Sequence, residues 1–327
     1  MKKTAIALLM VGLMLVTTLI SAGGTQELGF PDPEKSITIV VPHAAGGSTD
    51  LIFRALAEEM KKASGTNFIV TNITGAGSAT GTNEVINGAA DGYMLLGAGT
   101  HTTAATMQGL TAGYLELDYV AALNWDPFII AVRNDKPWKT LADLINDAKS
   151  RPGKISLGNA GMGGATGVAS VGINLAFSKS FNVTPFNGGA DLIASVLGGH
   201  CDVGVFSQSE VVANQASFRP LAILTDAHST LASLASVPTL SEAGYPGITI
   251  PGGSFRSIMV KKGTPEAAKK WLADTAEKAF NSAAFQKFMK DNGLIPVFSK
   301  LAEFKAYDAT IIADYVPILK EAGLYKL

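Results

Sequence analysis

Hydrophobic and polar positions along this chain follow a recurring order: a short unbroken apolar run, a glycine-rich turn, then apolar residues at helical spacing. Residues 37–41 are the first such run, the form taken by a strand buried on both faces. After the turn at 42–50, Ile52, Leu56 and Met60 share one face of a helix predicted over 51–62. The next strands read at 67–71 and 93–98, with a helix over 79–88 between them. Two further apolar runs, 120–123 and 128–132, are parted by Asn124, Trp125, Asp126 and Pro127, a break that reads as the first crossing between two domains. The order then restarts. Thr140 caps a helix through 149, with Leu141, Leu144, Ile145 and Ala148 on one face. Strands are predicted at 155–159, 183–186, 203–206 and 221–224, and helices at 165–177, 190–197 and 208–213. Residues 246–253, rich in glycine and proline, read as the return crossing. A strand at 258–260 follows, then a helix started by Thr264 as cap and Pro265 as first residue. A last helix over 301–322 contains Pro317 and is expected to kink there.

The pattern predicts an α/β protein of two lobes, each a mostly parallel sheet flanked by helices. Lobe 1 is discontinuous, 36–125 plus 253–327, and lobe 2, 126–252, is inserted into it. Ligands of open α/β sheets bind at the carboxyl ends of the strands, so a cleft between the lobes is the expected site.

Composition narrows the class. The 327 residues are 47% hydrophobic and 16% charged, enough apolar material for a sizeable core. The formal net charge is -1 with no basic stripe, which argues against nucleic acid as a partner. The single cysteine, Cys201, precedes a strand and reads as a small core residue. It rules out an internal disulfide or a cysteine-based metal site. Lys2 and Lys3, an uncharged apolar run over 5–20 and the small residues Ser21 to Gly24 form a signal-peptide pattern, placed at 1–22. The run is shorter than a membrane span of about 20 residues, and no cysteine follows it to carry a lipid. A cleaved leader and a protein released into the periplasm or its equivalent are expected, an uncleaved anchor being the alternative.

Three glycine turns follow strands: Pro42 to Asp50, Gly158 to Gly167, and Asn187 to Asp191. Each would leave backbone N–H groups at the positive end of a helix, a natural seat for an anion. Glycines also serve close strand–helix packing, and one turn alone decides little. Their common position, spread over both lobes, favours a ligand gripped from two sides. No arginine lies in these turns, so oriented amides and hydroxyls rather than a salt bridge are expected to bind it. Gly161 to Gly167 has a G-x-G-x-x-x-G spacing but lies mid-chain, with no tyrosine followed four residues later by lysine. The Gly46 turn lacks a P-loop Gly-Lys-Ser/Thr ending, and no G-x-S-x-G or H-E-x-x-H occurs. The four histidines are scattered, so neither a metal nor a cofactor is expected. His43 with Asp50 is the one nearby titratable pair an exported enzyme on this frame could use, and that reading stays open beside a receptor of another transporter class.

Residues 39–50, with Gly75-Ala76-Gly77, Asp91 to Leu96, Asn187-Gly188-Gly189, Gly198-Gly199, Val237 to Pro246 and Lys262 to Pro265, resemble in order the tripartite tricarboxylate transporter receptors of the Bug type. The resemblance covers essentially the whole mature chain. It implies a periplasmic binding protein with a Venus-flytrap fold of type II topology, a small carboxylate-bearing ligand, no catalysis, and two integral membrane subunits, one large and one small, as partners of a monomer. It implies that Asn159, Ala160, Gly161, Gly164, Ala165 and Thr166 hold a ligand carboxylate. His43, Ala45, Gly46, Gly47, Thr49 and Asp50 would close over the other end, with His101, Thr102, Asn187, Gly188 and Ser207 lining the cleft. His43 stands where the family usually has an aromatic residue. Met162, Gly163 and Ala165 stand where small polar residues are commoner, which leaves di-, tri- and monocarboxylates, amino acids and heterocycles all open.

Overall fold

Ile37–Val41 forms strand β1, with Ile37, Ile39, Val40 and Val41 buried, as its apolar run requires. The structure, a computed structural model, describes residues 29–327. The predicted signal peptide lies outside the described residues. Residues 33–327 form one compact unit, and a cis Phe30–Pro31 bond lies ahead of it.

In chain order the unit runs β1, α1 (Ser48–Ser64), β2 (Phe68–Asn72), a 3-10 turn (Ala76–Ser78), α2 (Ala79–Asn87), β3 (Met94–Gly99), α3 (Thr100–Met107), α4 (Gly113–Glu116) and β4 (Leu117–Arg133). It continues with α5 (Leu141–Ser150), β5 (Ile155–Asn159), α6 (Ala165–Ala176), β6 (Phe181–Pro185), α7 (Gly189–Leu197), β7 (Val203–Ser207), α8 (Gln208–Ala213) and β8 (Phe218–Ile223). The last elements are β9 (Gly253–Lys261), α9 (Glu266–Phe280), α10 (Ala283–Asp291), β10 (Ile295–Lys300) and α11 (Leu301–Glu321). The fold is two-lobed α/β. One half-sheet has the order β2-β1-β3-β9-β4, with β10 also on β4; the other has β4-β7-β5-β6, with β8 on β4. Within them β1 is parallel to β2 and β3, and β5 is parallel to β6 and β7.

Strand β4 joins the halves and corrects the sequence reading. Residues 124–127 do not break the chain into two runs; they lie inside a single 17-residue strand. Up to Pro127 it pairs with β9, and from Phe128 it pairs with β7 and β8. Proline has no N–H to give a ladder, and here it falls where the partners exchange. Of the residues that imitate a loop, Asp126 is fully enclosed because serine donors satisfy it, and Trp125 packs on Phe255 with ring centroids 4.6 Å apart.

Other local readings meet mixed outcomes. Thr140 does cap α5: its hydroxyl accepts from the Asp143 N–H while the Asp143 carboxylate accepts from the Thr140 N–H. The Thr264–Pro265 start shifts by one residue. Pro265 is the N-cap in extended conformation, and the Thr264 hydroxyl donates back to the Lys261 carbonyl. Helix α3 escapes a search for amphipathic spacing because all eight of its residues are buried, so it has no polar stripe. Cys201 is buried beside Leu192 and Phe206, and burial pushes its thiol pKa up. No helix among the described residues is long and apolar enough to cross a membrane.

Candidate functional site

Four helix N-termini point at one cavity between the half-sheets. Its walls are His43, Gly47, Ser48 and Thr49 at the start of α1, and Ala160, Gly164, Ala165 and Thr166 at the start of α6. Gly189 opens α7, Ser207 and Glu210 open α8, and His101, Phe128, Ser254 and Arg256 complete the lining. The first amides of a helix have no intrahelical acceptor, so this convergence concentrates partial positive charge.

The α6 turn is built by its own neutral groups. Asn159 is buried beneath it, donating to Ser170 Oγ at 2.9 Å and accepting from the Gly161 N–H at 3.0 Å. The Ala160 N–H donates to Thr166 Oγ1 at 3.0 Å, and the Gly164 N–H to the Gly161 carbonyl. These bonds hold the loop, and Ala165 and Thr166, the first two residues of α6, line the cavity.

The α1 turn is built by acids instead. Asp50 is turned away from the cavity into its own turn, accepting from the Gly46 N–H at 2.9 Å, Arg54 Nε at 2.9 Å and Asn72 Nδ2 at 2.8 Å. Burial pushes its carboxyl pKa up, but these donors together prevail and hold it below the usual range. None of these bonds goes to His43.

Beneath the cavity floor, Asp126 accepts from Ser48 Oγ (3.1 Å), Ser209 Oγ (2.7 Å) and the Ser209 N–H (3.2 Å). Arg256 lies 3.5 Å from it and donates to Ser48, Ser207, Ser254 and Thr49. Both side chains are nearly inaccessible, so this is a buried ion pair with its remaining valences filled. The glycine turns hold no arginine, but the cavity does: Arg256 reaches it from β9. Glu210 accepts from the Ser207 N–H at 2.9 Å, and the Ser48 N–H also points at its carboxylate. Burial raises it to about 7, with repulsion from Asp126 adding to the rise.

His43 and His101 meet edge to face at 4.5 Å. Burial and the Arg256 charge lower His43 to about 4, and burial with His43 and Arg256 holds His101 well below the ordinary range. Both rings are therefore neutral near pH 7. Their buried His43 Nδ1 and His101 Nε2 have no hydrogen-bond partner among the described residues, an arrangement that suits a polar ligand.

Of the residues proposed from sequence, His43, Gly47, Thr49, His101, Ala160, Gly164, Ala165, Thr166 and Ser207 line the cavity. Ala45 and Gly46 sit exposed at the turn tip, and Thr102 is enclosed in α3. Asn159, Gly161 and Asp50 shape their turns from behind. Asn187 and Gly188 form an edge contact, with the Asn187 carbonyl accepting from the Ala44 N–H at 3.4 Å. Sequence reasoning missed Ser48, Phe128, Gly189, Ser254, Arg256 and Glu210 as wall residues. Arg256 lies ahead of the strand read at 258–260, between it and the return crossing, and no local pattern singles it out. Glu210 is hidden because its carboxylate closes a capping box with Ser207, the ordinary work of an acid in a first helical turn.

Comparison with known proteins identifies the family and the fold. The model of the family described as tripartite tricarboxylate transporter family receptor matches residues 52–324. Protein BugT of Bordetella pertussis is 26% identical over 323 residues, covering 97% of each chain. The structure of periplasmic binding protein BugD superposes with a TM-score of 0.82 at 26% identity, covering 90% of this chain and 100% of that one. An R. palustris protein solved with adipate superposes with a TM-score of 0.81 at 23% identity, covering 90% of this chain and 99% of that one.

Proposed function

Because the chain belongs to the tripartite tricarboxylate transporter family of receptors, we propose that its interlobe cavity captures a small carboxylate-bearing solute for delivery to that transporter. The family makes it a solute-binding receptor working outside the cytoplasm. The finer reading is that the lobes, 36–125 with 253–327 and 126–252, close over the ligand. A monomer freed by signal cleavage would then present one closed surface to a large and a small membrane subunit, without turnover of the ligand.

The observation that carries the carboxylate reading is the convergence of the α6 start, with its Thr166 hydroxyl, and the starts of α1 and α7 on one cavity. Oriented amides at a helix start stabilise an anion without the desolvation cost of a mobile cation. In this reading Ala165 and Thr166 seat the carboxylate, Ala160, Gly164, Asn159 and Gly161 hold that seat in shape, and His43, His101 and Ser207 meet the rest of the ligand. Gly47, Thr49, Ala45, Gly46 and Asp50 form the facing turn, and Thr102, Asn187 and Gly188 support the rim.

A thermal-shift series of carboxylates, each beside its neutral amide, tests the proposal. A ligand at 100 times its dissociation constant adds about 2.7 kcal/mol, a midpoint rise of a few degrees. The expected result is a rise with the acids only. A rise with the amides alone would discard the anion seat.

A further inference from the structure

Resting on the carboxylate reading of the cavity, we infer that Glu210 fills the anion seat of the α1 turn, making the receptor selective for ligands with a single carboxylate. The two turns supply two helix-start seats facing one space, and a dicarboxylate spanning them would be the simplest ligand. One seat is already taken. The Glu210 carboxylate lies among the starts of α1, α7 and α8, receiving the Ser207 N–H and facing the Ser48 N–H. Its place lies against the backbone opposite: a Cβ on Gly189 would stand 1.6 Å from Glu210 Oε1, so any other residue there would displace the carboxylate from this position.

The donors around it are committed as well. Ser48 Oγ donates to Asp126 and receives from Arg256, and the Arg256 guanidinium is divided among four hydroxyls and Asp126. A second ligand carboxylate arriving at this wall would find no uncommitted cation. It would face Glu210, with Asp126 behind it, and like charges in a dry site are strongly discriminating. Protonation of Glu210 removes its charge but not its bulk, so the seat stays filled. The remaining wall, Phe128 with the neutral His43 and His101 rings, suits an apolar or uncharged polar group at the far end of the ligand. Glu210 thus acts as a specificity residue from within the binding wall.

The test is calorimetric titration at pH 8 of the mature protein with matched probes: butanoate against succinate, hexanoate against adipate, benzoate against terephthalate. The wild type is expected to bind the monoacid of its preferred pair about tenfold or more tightly than the diacid. Glu210→Ser should erase that ratio by strengthening the diacid. Glu210→Gln, which keeps the packing, should shift it in the same direction by a smaller factor. A wild type that prefers the diacid, or a ratio unmoved in both variants, overturns the inference and leaves the carboxylate reading intact. Failure of every acid to bind the wild type overturns the carboxylate reading and this inference with it.

Discussion

The turns that open α1 and α6 look alike in sequence and differ in what fills them. Each follows a buried strand, each is rich in glycine, and each places a threonine, Thr49 or Thr166, second in its helix. At α6 the loop's own amide, hydroxyl and carbonyl groups satisfy it, and the helix start faces the cavity unpaired with any acid. At α1 two carboxylates arrive first: Asp50 takes the Gly46 amide and Glu210 faces that of Ser48. A helix start is a potential anion site, and the residues folded against it decide whether the anion is a ligand or part of the protein.

That contrast can be broken at the charges holding the α1 side together. The largest effect is expected for Arg256→Met, which leaves Asp126 buried without its cation. Loss of one partner of such a pair should cost about 3 kcal/mol, read as a lowered denaturation midpoint in urea with unchanged slope. Asp50→Asn should cost less, about 2 kcal/mol, with carboxylate affinity kept, since Asp50 serves the turn and not the cavity. Its native carboxyl is held below the usual range, so its contribution is complete above about pH 4 and fades as pH falls through the lower native value. The stability difference between wild type and this variant should therefore shrink in acid, and a constant difference would mean that its charge is immaterial.

Much of the frame was legible from spacing alone. Buried strands such as 37–41 and 155–159 announce themselves as apolar runs, and α5 begins where its Thr140 cap stands. The join between the half-sheets was not legible, because Asn124, Asp126 and Pro127 are loop residues by every local rule and become strand residues only once Ser48 and Ser209 come from distant positions to satisfy Asp126. The site divides in the same way. Glycine turns identify the cavity's rim, since their chemistry is local. Arg256 and Glu210, which set its charge, depend on contacts 208 and 162 positions away in the chain, to Ser48 in both cases.

The most direct measurement is calorimetric binding of a monocarboxylate to Thr166→Val and Thr49→Val, the same change at the equivalent place in the two turns. Loss of the Thr166 hydroxyl releases the Ala160 amide and removes a donor beside the seat, so a drop in affinity of about tenfold or more is expected. Thr49 receives only a long 3.4 Å bond from Arg256, and its variant should stay within about threefold of the wild type. Equal losses in both variants, or a larger loss at Thr49, would contradict the assignment of the carboxylate to the α6 turn.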